Sequence, residues 1–276
     1  MDFPADTDTR TVSVWNDKVE VTFRSLGRGP DLIYLHPAAG LGHSPFLAEL
    51  SKHFRIHAPH FPGTDPERPR EIHKIGSLWD LVLIYEEAIR AMDLAGAPVM
   101  GESFGGMLSL ELAANFPDLF SRLALLAPVG IWREDIPIAN WIAAPPEAMP
   151  AMLFADPAGP AAKAIFTPPD DPDVAADQTA ALVWSIGVTG KFLWPLPEKG
   201  LESRLHRVTA PVHLIWGNED RLIPITYADL FAGALKDAKI TRLPDAGHAL
   251  SFESGPAVIE AALPFLAPAG AARGVA

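Results

Sequence analysis

Residues 99–107 read Val-Met-Gly-Glu-Ser-Phe-Gly-Gly-Met, and this stretch decides how the rest of the chain is interpreted. Its apolar start is followed by Gly-Glu-Ser-Phe-Gly and then by a helix-forming segment, which predicts a strand, a sharp turn and a helix. The glycines around Ser103 remove Cβ atoms that would collide in so tight a turn. We therefore expect Ser103 at the tip of the turn, beside the free N–H groups that begin the helix.

The composition is that of a folded chain without disulfides. Its 276 residues are 49% hydrophobic, which suffices for a large core in one or two domains, and none is cysteine. A net charge of −12 argues against a nucleic-acid partner. No run reaches the roughly 18 apolar residues that cross a membrane, and no signal peptide is evident. We expect a cytoplasmic protein that binds a small-molecule substrate and no membrane, with a homodimer left open.

Strand and helix signals alternate along most of the chain. Two alternating segments around Asn16-Asp17 predict an antiparallel hairpin, and the apolar runs that follow are separated by amphipathic segments. This alternation predicts a parallel sheet with helices on both faces. The predicted strands are residues 11–15, 18–24, 31–36, 54–58, the stretch before Ser103, 120–126, 211–216 and 239–243. The predicted helices are residues 44–51, 77–92, 107–115, 173–186, 227–235 and 257–266.

The pattern breaks between residues 132 and 205, which are rich in proline, alanine and tryptophan. This stretch is too apolar to remain in water as a linker, so we predict a helical insertion folded over the sheet. The core domain then comprises residues 1–131 and 206–276. We expect residues 1–10 to form a frayed arm and the tail from Ala267 to be disordered.

Two late segments supply groups that could activate Ser103, because a serine hydroxyl needs a base within hydrogen-bond reach. Asp220 follows the strand predicted at 211–216, and His248 follows the last predicted strand. Carboxyl ends of parallel strands share one edge of a sheet, so the three side chains should meet there. In this interpretation His248 accepts the proton of Ser103 and Asp220 orients the imidazole, with Glu219 as the alternative acid.

Attack by Ser103 also needs N–H donors for the charged oxygen of the intermediate. The N–H of Phe104 is one candidate, since it begins the helix after the nucleophile. The second should come from the loop after the strand that ends at His36. Pro37 has no N–H, so Ala38 is the candidate, and His36 is expected to support its loop rather than to act as an acid or base.

Four segments together resemble the α/β-hydrolase fold family. They are His36-Pro37-Ala38-Ala39-Gly40, Gly101-Glu102-Ser103-Phe104-Gly105-Gly106, Gly217-Asn218-Glu219-Asp220 and Gly247-His248. The order serine, acid, histidine is also that of the nucleophile-elbow triad. The resemblance implies an eight-stranded, mostly parallel twisted sheet, a helical cap at residues 132–205 and a serine hydrolase. Members often carry His-Gly where this chain has His36-Pro37.

The sequence leaves three functions open. The first is hydrolysis of an ester, thioester or lactone with a small to medium apolar acyl group, through an acyl-enzyme. The second is hydrolysis of a carbon–carbon bond, as in the meta-cleavage-product hydrolases, which the chain resembles in length and cap position. Their acidic substrates would need an arginine, such as Arg133 or Arg204. The third is ligand binding without turnover.

The remaining predictions concern the pocket and its surroundings. Met107, Phe104 and Trp194 are candidate lining residues, because the aromatic and proline content of the insertion suggests an apolar pocket. Glu102 lies inside the turn and is expected to support the site rather than to act as the acid catalyst. The other histidines show no metal-ligand spacing, so we expect neither a metal nor another cofactor.

Overall fold

The computed structural model describes residues 3–4, 7–193 and 199–267, and a single mixed sheet runs through them. Its eight strands are β1 (Asp8–Val14), β2 (Val19–Leu26), β3 (Asp31–Leu35), β4 (Arg55–Pro59), β5 (Val99–Glu102), β6 (Leu123–Leu126), β7 (Val212–Gly217) and β8 (Ala238–Leu243). Their order is β1-β2-β4-β3-β5-β6-β7-β8. The pairs β1–β2 and β2–β4 are antiparallel, and the other neighbours are parallel. The predicted eight-stranded, mostly parallel sheet is confirmed.

Two strands begin three residues away from their predicted starts, whereas the other strand boundaries agree within two residues. β1 begins at Asp8, inside the expected frayed arm, because it pairs with β2 from the contact of Asp8 with Ser25 onward. β6 begins at Leu123 rather than at residue 120, because its parallel ladder to β5 starts opposite Val99. Both differences come from pairing between strands, which local residue patterns do not contain.

The described residues contain nine α-helices in addition to three short 3-10 helices. They are α1 (Pro45–Leu50), α2 (Leu78–Ala91), α3 (Phe104–Asn115), α4 (Met149–Leu153), α5 (Pro160–Phe166), α6 (Pro172–Leu193), α7 (Thr226–Ala234), α8 (Leu250–Glu253) and α9 (Gly255–Leu266). Ser77 caps α2 as predicted: its hydroxyl accepts the Asp80 N–H, and the Asp80 carboxylate accepts the Ser77 N–H. None of the described helices combines the length and the hydropathy that crossing a bilayer requires.

A helical insertion connects β6 to β7 and contains α4, α5 and α6. α6 continues to Leu193, past the predicted end at residue 186. Gly187 and Gly190 lower the local helix propensity, but the last turns are held by burial of Val188 and of residues 192–193. The division of the chain at residues 132 and 205 stays a prediction, and residues 268–276 of the predicted disordered tail lie outside the described residues.

Side chains of α6 bind backbone carbonyls of the sheet domain. Trp184 Nε1 donates to the carbonyl of Gly63 at 2.7 Å, and Lys191 Nζ donates to the carbonyl of Ile75. The Thr189 hydroxyl lies 2.9 Å from the carbonyl oxygen of Ser185 in its own helix and 3.2 Å from that of Ala38. Because Ala38 and Gly63 follow the carboxyl ends of β3 and β4, the second half of α6 lies over that edge of the sheet.

Gly105 has no room for a side chain, whereas Gly187 has ample room. A Cβ on Gly105 would collide with the backbone carbonyl of Leu35, but a Cβ on Gly187 in α6 would meet nothing within 4 Å. Gly105→Ala is therefore expected to lower the free energy of unfolding by about 1–3 kcal/mol. Gly187→Ala, the matched control, should leave it unchanged or raise it by up to about 1 kcal/mol. Urea unfolding of both variants checks this, and equal stability would contradict the described packing of the turn.

Candidate active site

Ser103 lies between β5 and α3 in a backbone conformation that non-glycine residues rarely adopt. Its φ is 51° and its ψ is −108°, which costs of the order of 1–3 kcal/mol. The Ser103 N–H donates to the Leu126 carbonyl at 2.8 Å, and the Ser103 carbonyl accepts the Met107 N–H at 3.1 Å. A Cβ on Gly101 would lie 2.6 Å from the Gly105 carbonyl oxygen, so the turn closes only with glycine there. These contacts fix the predicted sharp turn with Ser103 at its tip.

The structure brings the three predicted catalytic side chains into one hydrogen-bonded chain. His248 Nε2 lies 3.0 Å from Ser103 Oγ, and His248 Nδ1 lies 2.8 Å from Asp220 Oδ2. All three residues are buried. With Nδ1 protonated towards Asp220, the free lone pair of Nε2 faces the serine hydroxyl. This geometry permits proton transfer from Ser103 to His248.

Asp220, rather than the alternative Glu219, contacts the imidazole. The second oxygen of the Asp220 carboxylate accepts the N–H groups of Leu222 at 3.0 Å and Ile223 at 2.8 Å. The side chain of Glu219 is exposed and lies 3.6 Å from Arg221. Asp220 is therefore held in one orientation, as the acid of a proton relay requires.

Charge around His248 favours the protonated ring. Burial works against the imidazolium, but the carboxylates of Asp220 and Glu102 and the hydrogen bond to Asp220 outweigh it, so the pKa of His248 lies above its ordinary value. A base of raised pKa accepts a proton more readily, and it loses its free lone pair when the pH falls below that pKa.

Glu102 is buried next to Ser103 and has two hydroxyl partners. Tyr34 Oη donates to Glu102 Oε2 at 2.8 Å, and Ser251 Oγ donates to Oε1 at 2.8 Å. Burial raises the pKa of Glu102, although both hydrogen bonds and the charge of His248 offset part of that rise. Glu102 joins β3, β5 and α8 around the site, which agrees with the predicted supporting position.

The two predicted N–H donors lie on segments that touch each other. Within the described residues, the N–H groups of Ala38 and Phe104 donate no hydrogen bond to the protein. Gly105 packs against the backbone of Leu35 and His36, so the start of α3 and the loop after β3 are in contact. N–H groups without protein partners are the kind of donor that can stabilise an oxyanion.

His36 holds the peptide unit that carries the Ala38 N–H. His36 Nε2 accepts the Phe61 N–H at 2.9 Å, which leaves the proton on Nδ1 to be donated to the Pro37 carbonyl at 2.8 Å. Burial lowers the pKa of His36 to about 4, so the ring is neutral near neutral pH. In a trans peptide the Pro37 carbonyl and the Ala38 N–H point in opposite directions, so fixing one fixes the other.

The predicted pocket residues are only partly covered by the structure. Met107 is buried and packs against Gly130, whereas Trp194 lies outside the described residues. The Phe104 ring contacts that of Phe61 at 5.3 Å between centroids, and Phe61 contacts Phe192 of α6 at 5.5 Å. An aromatic cluster from the turn, the loop after β4 and the insertion therefore adjoins Ser103.

Both candidate arginines have acidic partners. Arg204 binds the buried carboxylate of Glu111 through two nitrogens, at 2.7 and 3.1 Å. Arg133 binds Asp135 at 3.1 Å. Neither guanidinium is placed by these contacts as a ready partner for a substrate carboxylate.

A second serine–histidine–aspartate contact occurs inside the sheet. His57 Nδ1 lies 2.9 Å from Ser25 Oγ, and Nε2 lies 2.8 Å from Asp31 Oδ1. Ser25 sits within the β2 ladder, opposite Asp8 and His57, without a turn or helix start beside it. This contact links β2, β4 and β3.

The described residues contain no group of three or more metal-ligating side chains.

The model of the alpha/beta hydrolase family matches residues 32–262. The chain belongs to this family. The pimeloyl-[acyl-carrier protein] methyl ester esterase of Nitrosomonas europaea is 27% identical over 263 residues, which cover 84% of this chain and 94% of that protein. A 2-hydroxy-6-oxo-2,4-heptadienoate hydrolase of Pseudomonas putida is 32% identical over 120 residues, or 41% of this chain and 42% of that protein.

A solved structure has the same fold as this alpha/beta hydrolase. Naproxen esterase (carboxylesterase NP) of Bacillus subtilis superimposes with a TM-score of 0.73 at 17% identity, covering 96% of this chain and 93% of that one. At this identity the likeness concerns the fold alone.

Sequence reasoning missed several residues around the site of this hydrolase. Tyr34 was part of an apolar run, and Ser251 and Glu253 lay in an unassigned segment, yet Tyr34 and Ser251 bind Glu102. One signal was present: a glutamate inside so buried a turn needs hydroxyl or N–H donors nearby. The sequence does not say which donors those are.

Glu102→Gln is expected to move the acid limb of kcat/KM to lower pH. The negative charge of Glu102 favours the imidazolium, so without it His248 stays neutral, and able to act as a base, down to a lower pH. A pH profile with a nitrophenyl ester measures this. Glu219→Gln, which removes an exposed carboxylate next to Asp220, is the control and should leave the limb in place. An unmoved limb in Glu102→Gln would contradict the electrostatic role.

Proposed function

We propose that this alpha/beta hydrolase cleaves an ester, thioester or lactone of a small to medium apolar substrate through an acyl-enzyme. The observation that carries the proposal is the continuous contact of Ser103, His248 and Asp220 at a strained turn. The two N–H groups without protein partners beside that turn support the same chemistry.

In the acylation step, Ser103 Oγ attacks the substrate carbonyl carbon while His248 Nε2 takes the hydroxyl proton. Asp220 remains ionised and stabilises the imidazolium that forms. The carbonyl oxygen becomes negatively charged and is bound by the N–H groups of Ala38 and Phe104. Collapse of this intermediate breaks the bond to the leaving group, which receives the proton from His248, and leaves Ser103 acylated.

Deacylation repeats these steps with water. His248 takes a proton from the water as its oxygen attacks the acyl carbon, and it then returns a proton to Ser103 Oγ. The products are the carboxylic acid and free enzyme. His248 thus accepts and releases a proton in each half of the cycle, and its raised pKa favours the accepting step.

The surroundings of the nucleophile favour an apolar acyl group. Phe61, Phe104 and Phe192 form a connected aromatic cluster, and Ser103, next to Phe104 in the chain, is itself buried. The relative from Nitrosomonas europaea, which aligns with most of this chain, is named as a methyl ester esterase, and this name supports an ester substrate. An apolar acyl chain gains from leaving water in such a setting.

Carbon–carbon bond hydrolysis is the second candidate, because the relative from Pseudomonas putida carries the name of a dienoate hydrolase. A dienoate substrate brings a carboxylate that requires a cation or several N–H donors. Arg133 and Arg204 bind Asp135 and Glu111 instead. The ester reaction is therefore the better supported of the two. Incubation with a coloured ring-fission product, followed by its loss of colour, separates the two reactions. If the protein hydrolyses this compound faster than it hydrolyses esters, the ester proposal is overturned.

Ser103→Ala is expected to lower kcat on a short-chain nitrophenyl ester by at least about 10³-fold, because the nucleophile is lost while the oxyanion donors remain. Ser121→Ala, at an exposed serine, is the control and should retain full activity. Intact mass after treatment with a fluorophosphonate should show one adduct in the native protein and none in Ser103→Ala.

Two results would overturn the proposal. One is a native protein that is inactive on a broad panel of esters, thioesters and lactones and that takes up no fluorophosphonate. The other is tight binding of a ligand without turnover that is unchanged in Ser103→Ala, which would favour a binding protein.

A further inference from the structure

The helical insertion is bonded to the loop that carries His248 through Glu253. Glu253 Oε2 accepts the N–H of Gly247 at 2.7 Å and the N–H of Ala155 at 3.1 Å. Its other oxygen accepts the N–H of Asp156 at 3.2 Å. One carboxylate thus joins the residue before His248 to two successive residues of the insertion.

The residue after His248 is held by the same part of the insertion. The Ala249 N–H donates to the Leu153 carbonyl at 2.9 Å. A Cβ on Gly247 would lie 2.6 Å from the Leu153 carbonyl oxygen and 2.7 Å from the Ala155 nitrogen, so the two backbones are in contact. The insertion is therefore bonded to the His248 loop both before and after His248.

The loop of the acid is attached to this segment as well. Arg221, which follows Asp220, donates from Nη1 to the Phe154 carbonyl at 3.2 Å and to the Ala151 carbonyl at 3.4 Å. The Phe154 side chain is fully buried and packs edge to face on Phe166 of α5. Residues 151–156 are thus anchored in the insertion and bonded to the loops of both the base and the acid.

We infer that Glu253 is a positioning residue for His248, through which residues 151–156 of the insertion fix the catalytic base. The inference rests on the proposed function, because His248 matters only if it serves Ser103. A carboxylate suits this task, since its two oxygens can accept several converging N–H groups. Without it, the N–H groups of Gly247, Ala155 and Asp156 lose their acceptor, and the His248 loop loses one of its two links to the insertion.

The kinetic test compares Glu253→Ala with Glu253→Gln. Glu253→Ala should lower kcat on a nitrophenyl ester by about 10²-fold with a much smaller change in KM, because a base displaced by about 1 Å loses rate rather than binding. Glu253→Gln should recover most of the rate, since its amide oxygen can still accept the N–H groups of Gly247 and Ala155. Glu260→Ala, at an exposed glutamate of α9, is the control and should behave as the native protein.

A second measurement reports on His248 without any substrate. The proton shared by His248 Nδ1 and Asp220 gives a low-field proton resonance when that hydrogen bond is short and fixed. This resonance should weaken or shift in Glu253→Ala and be preserved in Glu253→Gln. Where Glu253→Ala does not fold, Glu253→Asp replaces it, because it keeps the charge but shortens the reach; it should also lower kcat and disturb the resonance.

The outcomes separate the two proposals. Native kcat and an unchanged resonance in a folded Glu253→Ala or Glu253→Asp variant would overturn the positioning role and leave the proposed function intact. If the native protein hydrolyses no ester, the proposed function fails. The resonance then still decides whether Glu253 holds the imidazole against Asp220.

Discussion

The close approach of backbone segments at the turn between β5 and α3 is the constraint on which the rest of the structure depends. Gly101 and Gly105 lie so near to neighbouring carbonyls that neither can carry a side chain, and between them Ser103 takes a positive φ. Strain of this kind persists only where the surroundings hold it. Here the buried ladder of β3, β5 and β6 and the first turn of α3 supply that support.

The pKa values of the two buried histidines at the site depend on burial and on the charged groups near each ring. His248 has two carboxylates near one ring, and they outweigh the cost of burying its charge. His36 has no carboxylate to offset burial, so it stays neutral and can accept from Phe61 while donating to Pro37. The two buried imidazoles lie at the same edge of the sheet, yet burial lowers the pKa of one ring, whereas nearby carboxylates raise that of the other despite its burial. In each case the shift agrees with the hydrogen bonds that the ring makes.

The sequence predicted what depends on local pattern. Apolar runs located the strands, and the glycines around Ser103 predicted the turn, because period and backbone freedom are properties of short segments. The parallel arrangement of the strands then predicted Asp220 and His248 at the same edge, and in the structure His248 contacts both Asp220 and Ser103. What remained beyond prediction was contact between distant segments. Glu253 binds Ala155 across 98 positions, and no periodicity marks such a pair.

The insertion has a consequence for how this fold could be altered. Residues 151–156 supply carbonyls to Arg221 and N–H groups to Glu253, so the segment is part of the frame around Asp220 and His248. A chimera that exchanged residues 132–205 for the insertion of a relative would lose those contacts. Grafting a foreign insertion onto this chain would therefore require the donor segment to reproduce the same backbone attachments.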